Sequence, residues 1–168
     1  MPPTATTAFL ILDVAGTACA LARTCVSEVL PLPRLHRQSA TAGLLAGFLN
    51  LGGAAVPVID LARLLGLSEA AADPDDVDRH LVLDAARSTA FLVDRAEALL
   101  VVPDSEIQPA DETRSLNGCV IAGFERGHGR VDVLSLARLL TQEERIRLDA
   151  LTRAAAERLS GLDAATAS

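Results

Sequence analysis

Tryptophan, tyrosine and lysine do not occur in this sequence, and phenylalanine occurs four times. A core with so few aromatic rings must be built from aliphatic side chains, and the stacking platforms that bind single-stranded nucleic acid are missing. Every basic residue apart from three histidines is arginine, and the net charge of −7 opposes binding to a phosphate backbone. The composition therefore argues against a nucleic-acid-binding protein.

Cysteines and long apolar runs are also scarce. Cys19, Cys25 and Cys119 are odd in number and lack C-x-x-C spacing, so we interpret them as small hydrophobic residues rather than disulfide partners or metal ligands. The apolar run from Ala8 to Leu12 is too short for a signal sequence or a membrane span, and Asp13 ends it. We predict a soluble, cytoplasmic protein with a flexible leader at 1–8 and no insertion into the membrane.

Motifs for catalysis or cofactor binding are missing as well. The three histidines are not spaced as H-x-x-H or H-E-x-x-H, and no lysine with serine or threonine follows Asn50–Gly53 to make a phosphate loop. The acidic stretch at 68–78 lacks the glycine and the closing glutamate of a calcium loop, which favours a solvated loop. We predict a protein that is not an enzyme and holds no metal or cofactor.

Half of the residues are hydrophobic, and they occur in short runs separated by turn residues. Such runs predict β-strands, whereas Arg23–Leu30 fits either a strand or a short helix. The predicted strands are Phe9–Val14, Ala18–Ala22, two strands flanking Gly52-Gly53, His80–Asp84, Ala90–Asp94, Ala98–Val102, Cys119–Phe124 and Arg130–Leu134. The pattern indicates a mainly β fold.

One stretch organises the chain around a hairpin and a short helix. Gly52 and Gly53 suit a tight turn, Asp60 can cap the helix that follows the second strand, and Gly66 can end that helix. Residues 58–65 are echoed at 133–140, where Ser135 takes the capping place. The echo predicts two similar subdomains, although Leu-Ala-Arg-Leu-Leu is also common in a chain rich in these residues.

The C-terminal part has helical rather than strand periodicity. Leu148, Leu151, Ala155 and Leu159 recur at spacings of three and four, and Thr141 with Glu144 forms a capping-box pattern. We predict an amphipathic helix over 141–162, stopped at Gly161, with a disordered tail at 163–168. Its apolar face is expected to pack on the β domain or on a second copy of the chain.

The organising stretch resembles the signature of the CheW-like domain family. Gly47–Gly53 is similar to the family's G-x-x-N-L-R-G, and Val56–Leu61 to its V-P-V-x-D-L. Looser similarity extends from Phe9 to Leu151, which identifies the chain as a divergent member. The resemblance implies two SH3-like five-stranded β-barrels side by side over 9–140. It places the first barrel at about 15–80 and the second at about 81–140 together with the N-terminal strand.

The resemblance also implies a function. It suggests a non-enzymatic adaptor that joins chemoreceptor tips, held in a groove between the barrels, to the regulatory domain of a CheA-type histidine kinase. The alternative is a CheW-fold scaffold that associates with itself or with a partner outside chemotaxis. Gly52 stands where the family has arginine, so we expect weaker binding to a standard partner. The implied partner contacts are Val26, Glu28, Asn50, Leu51, Gly52, Val56 and Phe91.

Overall fold

Two β-sheets and a long C-terminal helix make up the described part of the chain. The computed structural model describes residues 4–36, 44–68, 78–110, 116, 118–127, 129–140 and 142–166. Short 3₁₀ helices lie at Arg23–Cys25, Asp104–Glu106 and Leu136–Arg138. The other elements are β1 (Thr6–Val14), β2 (Thr17–Ala22), β3 (Val26–Pro31), β4 (Leu45–Leu51), β5 (Ala54–Asp60), α1 (Leu61–Leu64), β6 (His80–Asp84), β7 (Ala90–Val93), β8 (Arg95–Pro103), β9 (Gln108–Pro109), β10 (Val120–Arg126), β11 (Gly129–Leu134) and α2 (Gln142–Thr166).

The two sheets share a five-strand arrangement, to which sheet I adds the short strand β9. Sheet I has the order β8-β1-β2-β11-β10-β9, and sheet II has the order β3-β6-β7-β5-β4. Each sheet contains one parallel pair, β11 with β2 and β5 with β7, while the other neighbours are antiparallel. The mainly β fold with two SH3-like units and a terminal helix is thereby confirmed, with sheets that are open rather than closed barrels.

Matching irregularities strengthen the correspondence between the sheets. The register shifts between Leu45 and Gly47 in sheet II and between Val120 and Ala122 in sheet I, just before the strand that carries each echoed segment. Residues 58–65 and 133–140 therefore occupy equivalent places, each where a strand passes into a short helix. The echo marks a real structural repeat.

The division of the chain between the sheets differs from the predicted 15–80 and 81–140. Sheet II is built from one continuous stretch, from β3 to β7, whereas sheet I combines β1 and β2 with β8 to β11. The N-terminal strand β1 lies in the unit of β8 to β11, as predicted, but β2 and the hairpin β6–β7 lie in the other unit from the one predicted, because hairpin signals are local and do not reveal which sheet a hairpin joins. The predicted leader is also shorter, since β1 begins at Thr6.

Strand alternation divides the buried side chains among three clusters. In β1, Ile11 packs inside sheet I, while Leu12 faces a core shared by both sheets. In β7, Leu92 packs inside sheet II, while Phe91 faces the shared core. Because successive residues of a strand point to opposite faces, both faces of these strands are buried and both must be apolar. This explains the uninterrupted hydrophobic runs in the sequence.

Some of the predicted turn and helix-cap residues have their predicted roles in the structure, and others do not. Gly52 and Gly53 have φ of 61° and 94° in the β4–β5 turn, and the side chain of Asp60 accepts the N–H of Arg63 at 3.4 Å. Gly66, with φ of 74°, follows the end of α1. The side chain of Ser135, by contrast, caps nothing, because the segment after β11 is a tighter 3₁₀ turn. Thr141, predicted as a helix cap, lies outside the described residues.

Helix α2 packs against β5 and closes the shared core. Leu148 and Ala155 are buried within that core, Leu151 packs against it, and Leu159 is also buried. The predicted apolar face is confirmed. The helix continues through Gly161 to Thr166, so the predicted stop and the disordered tail from 163 are wrong for this stretch. A glycine inside a helix costs about 1 kcal/mol, which does not by itself end it.

Candidate partner-binding site

A groove lies between the two sheets where their edge strands β3 and β8 approach each other. Its volume is about 260 Å³. Val29 and Leu99, which form part of its wall, are 37% and 60% exposed, although both are large apolar side chains. The other lining residues are Leu10, Arg23, Val26, Ser27 and Glu28. The groove therefore offers apolar surface beside one carboxylate and one guanidinium.

A β-bulge shapes the sheet II wall of this groove. The register of β3 against β6 shifts between Val26 and Glu28, so Ser27 is an extra residue in β3. The insertion lets Val26 and Val29 line the same groove although they are three residues apart. The hydroxyl of Ser27 donates to the carbonyl of Asp84 at 2.7 Å, which fixes the bulge.

Of the two charged side chains at the groove, Glu28 is held by a weak contact and Arg23 by a normal hydrogen bond. The guanidinium of Arg87 lies 3.5 Å from Glu28 Oε2, with both side chains about half exposed. Arg23 donates to the carbonyl of Val26 at 2.9 Å. An exposed pair of this kind contributes little to stability, so Glu28 can exchange Arg87 for a partner at low cost.

The predicted contacts at Asn50–Gly53 lie on a separate surface. They form the tip of the β4–β5 hairpin, at the end of sheet II opposite to β3 in strand order. Asn50 Oδ1 accepts the N–H of Gly53 at 2.9 Å and so closes the turn. Gly52 is exposed, and a Cβ placed on it meets no atom within 4 Å, so this tip is open for a partner.

Two of the predicted contact residues are not on the surface. Val56 is 2% exposed inside sheet II, and Phe91 is 4% exposed in the shared core. Their assignment as partner contacts is wrong because the strands β5 and β7 lie inside the strand order and are covered on both faces. The predicted residues thus divide among a groove, a hairpin tip and the core.

Val29, Leu99 and Leu10 line the groove but were not predicted to do so. The signal was the apolar run Ala98–Val102, which we predicted as a strand without assigning it to the edge or the interior of a sheet. In the structure β8 is an edge strand, and Leu99 and Val101 are 60% and 63% exposed. An apolar run in an edge strand is a sign of a contact surface.

Reactive or metal-binding chemistry finds no support in the described residues. Burial, together with the charges of Asp132 and Asp13, raises the pKa of the Cys19 thiol to about 12, and burial also raises the pKa of Cys119. Both thiols stay protonated and unreactive near neutral pH. Across the described residues no group of three potential metal ligands is gathered, and no helix has the length and apolar character to cross a membrane. The acidic segment 69–77 and His128 lie outside those residues.

Comparisons with known proteins agree with this geometry. The family model of the CheW-like domain matches residues 8–144. A probable chemotaxis protein CheW of Rhizobium etli is 39% identical over 72 residues, which cover 41% of this chain and 44% of that protein. The chemotaxis protein CheW of Rhizobium meliloti is 33% identical over 87 residues, which cover 50% and 49%. The matched stretches therefore span about half the length of these curated relatives.

A solved structure shows the same fold. The scaffolding protein TtCheW of Thermoanaerobacter tengcongensis superposes with a TM-score of 0.70 at 17% identity, covering 84% of this chain and 90% of that one. The two-sheet arrangement, the N-L-x-G hairpin and the family-model match over residues 8–144 all indicate the same family. The chain belongs to the CheW-like domain family.

Proposed function

We propose that this chain is a non-enzymatic coupling protein that joins chemoreceptor tips to the regulatory domain of a CheA-type histidine kinase. The observation that carries the proposal is the groove between β3 and β8, where apolar side chains stay exposed. Leu99 and Val29 there suit the apolar stripe of an amphipathic receptor helix. Glu28 at the groove margin suits a cation on that helix.

The kinase contact is proposed at the hairpin tip of Asn50–Gly53. The tip and the groove are separate surfaces, so two partners could bind the chain at the same time, as coupling requires. The names of the rhizobial relatives, which are chemotaxis proteins, support a coupling role but do not bear on where the kinase binds.

The test is to measure the binding of each partner fragment to variants of each surface. Leu99→Glu places a charge in the groove, so we expect binding of a receptor-tip fragment to fall by tenfold or more, with kinase binding retained. The matched control is Ile146→Glu on α2, since Ile146 is 64% exposed and lies away from the groove lining. If the two variants bind the receptor fragment equally well, the groove is not its site.

A second candidate function is a scaffold for a partner outside chemotaxis, and Gly52 favours it. An arginine at this turn would supply charge-assisted hydrogen bonds of about 1.5–3 kcal/mol each, and Gly52 supplies none. Gly52→Arg should therefore strengthen binding of a standard kinase or receptor fragment by tenfold or more. Its φ of 61° costs a non-glycine residue about 1–2 kcal/mol of stability, so affinity is compared at a temperature where both proteins are folded.

Two outcomes would decide between these functions. Strong binding of the unmodified chain to both standard fragments supports the coupling function and shows that the missing arginine does not set partner choice. If neither the unmodified chain nor Gly52→Arg binds either fragment, the scaffold with another partner is favoured.

A further inference from the structure

The chain crosses from sheet II to sheet I at Asp94, and the carboxylate of this residue joins the two sheets. Its Oδ1 accepts from the guanidinium of Arg79 at 2.9 Å, while its Oδ2 accepts the N–H of Ala15 in the β1–β2 turn. Arg79 belongs to sheet II, because it precedes β6 and its carbonyl accepts the N–H of Leu32 at 3.0 Å. One carboxylate therefore binds a group from each sheet.

A second contact lies beside the first. The backbone N–H of Ala96 donates to Nδ1 of His80 at 3.0 Å, which links the start of β8 to the start of β6. Strand β8 is thus fixed to sheet II at Asp94 and at Ala96. Because β8 is paired with β1 from Arg95 to Pro103, these two contacts orient sheet I as a whole relative to sheet II.

That direction determines where the groove wall lies. Leu99 follows Asp94 by five residues, or roughly 17 Å along an extended strand. At this distance a small rotation about the two contacts moves Leu99 toward or away from Val29 on β3, and both line the groove. The contacts near Asp94 therefore form the fixed end about which the groove wall carrying Leu99 can rotate.

The Arg79–Asp94 ion pair is short, at 2.9 Å, and it joins the two sheets. Arg79 is 8% exposed, and its Nε has no hydrogen-bond partner among the described residues. The carboxylate of Asp94 is therefore the group that compensates its positive charge. The pairs Arg87–Glu28 and Arg126–Glu97 are longer, at 3.5 Å, with side chains 41–50% exposed. Arg130–Asp132 is more buried but longer still, at 3.8 Å, and lies within sheet I. A short pair with a buried arginine and a partly exposed carboxylate can hold a defined geometry even where it adds little net stability.

We propose that Arg79 and Asp94, with the His80–Ala96 contact, set the angle between the two sheets and hence the width of the groove. They are positioning residues that do not line the groove themselves. The consequence for receptor binding rests on the proposed function, whereas the control of the angle does not.

The angle is measured by the distance between spin labels on the two sheets. Labels are attached at Ala54→Cys in sheet II and Glu125→Cys in sheet I, both exposed positions, with Cys25→Ser to remove the half-buried thiol. The test variant is Arg79→Met with Asp94→Asn, which leaves no unpaired buried charge. The matched control is Arg126→Met with Glu97→Gln, which removes an exposed pair within sheet I.

We expect the test variant to broaden the distance distribution and shift its maximum, while the control keeps the distribution of the parent. An unchanged distribution in the folded test variant overturns the proposal. If far-UV circular dichroism shows that the test variant has lost its strands, His80→Phe is measured in the same way. Removal of that second contact must also broaden the distribution, and an unchanged one overturns the proposal.

A receptor-tip fragment provides the binding readout. If the groove keeps its width in about a tenth of the test-variant molecules, apparent affinity falls about tenfold, with no change in the control. Equal affinity of test and control variants overturns the link between angle and binding. Should the unmodified chain fail to bind the fragment, the proposed function fails, and the label distances still decide the role of Arg79 and Asp94.

Discussion

Sheet I and sheet II share one strand arrangement and differ in what that arrangement presents. The edge strand of sheet II, β3, exposes Glu28 in a loose ion pair, whereas the edge strand of sheet I, β8, exposes Leu99 and Val101. The short helix after β5 is capped by Asp60, but the equivalent turn after β11 lacks a side-chain cap. Helix α2 packs on β5 of sheet II.

These differences lie on edges, turns and helix ends, while the buried strands keep the same pattern. Packing constrains a buried strand on both faces, but an edge position has to satisfy solvent or a partner. The repeat therefore gives two sheets with the same order of buried strands. The residues at their edges, turns and helix ends give each sheet a separate role.

The largest expected difference between the sheets concerns α2. A chain ending after Leu140 loses the buried side chains of Leu148, Ala155 and Leu159, and a buried leucine contributes about 1.5–3 kcal/mol. We expect the free energy of unfolding in urea to fall by several kcal/mol and the protein to become less soluble. A chain ending after Ser160 keeps these residues and serves as control.

Hydrogen exchange on the shortened chain sharpens this comparison. Protection should fall first in β5, where α2 packs, and in its neighbour β4. Equal loss in β1 and β8, or no loss of stability at all, would show that α2 is not specific to sheet II.

We expect Cys19 of sheet I to make the stability of the protein depend on pH in the alkaline range. Burial, with the charges of Asp132 and Asp13, raises the pKa of this thiol from 9.0 to about 12, so the folded state holds its proton more tightly than the unfolded state does. The contribution of Cys19 to stability is therefore fully present below pH 9. It is lost as the pH rises toward 12, which lowers the free energy of unfolding by something on the order of 2–4 kcal/mol. Lysine and tyrosine do not obscure this range, because the sequence contains neither.

The check is urea unfolding of the unmodified protein and of Cys19→Ala between pH 8 and the highest pH at which the protein refolds. The variant should lose part of the decline. Identical pH dependence in the two proteins would mean that Cys19 is not the source.

Gly123 provides a smaller contrast. By register it is equivalent to Phe48 of sheet II, since Gly123 pairs with Asp132 as Phe48 pairs with Pro57. A Cβ on Gly123 would lie 2.6 Å from the guanidinium of Arg130, which must then move. Because this group is the end of a flexible side chain, we expect Gly123→Ala to cost only about 1 kcal/mol in thermal or urea unfolding. In an Arg130→Met background the same change should cost less, and an unaltered cost would exclude the guanidinium as the cause.

The smallest expected contrast separates the two helix starts. Asp60→Ala should lower stability by about 1 kcal/mol, because Asp60 accepts the N–H of Arg63. Ser135→Ala should stay within about 0.5 kcal/mol, because its side chain makes no such bond. Equal melting temperatures for the two variants would remove this difference between the sheets.

Much of the fold follows from local patterns in the sequence. The Gly52-Gly53 hairpin depends on backbone freedom, and the buried stripe at Leu148 and Ala155 depends on helical spacing, so each can be read within a few residues. The partition into sheets cannot be read in this way. Ile11 pairs with Ala98, and no local feature of either residue identifies the other.

The candidate site was predictable to a lesser degree. Val26 and Glu28 were found through a family motif, which marks positions without giving their exposure. Phe91 was misplaced because a residue in a short apolar strand can face a partner or the core, and the strand order decides between these. Leu99 was missed because the edge position of β8 depends on a pairing across most of the chain.

The continuity of sheet II also bears on the order of folding during synthesis. All of its strands lie between Val26 and Val93, so they can pair once this stretch has left the ribosome. Strands β1 and β2 are made first, but β2 must wait for β11, where Cys19 pairs with Asp132. Until β8 is made, the β1–β2 hairpin has no other strand of sheet I beside it, and the face of sheet II that lines the shared core is the first surface that can shield its apolar side chains from aggregation. The sheet that begins the chain is thus completed last, on a template formed by the sheet inserted within it.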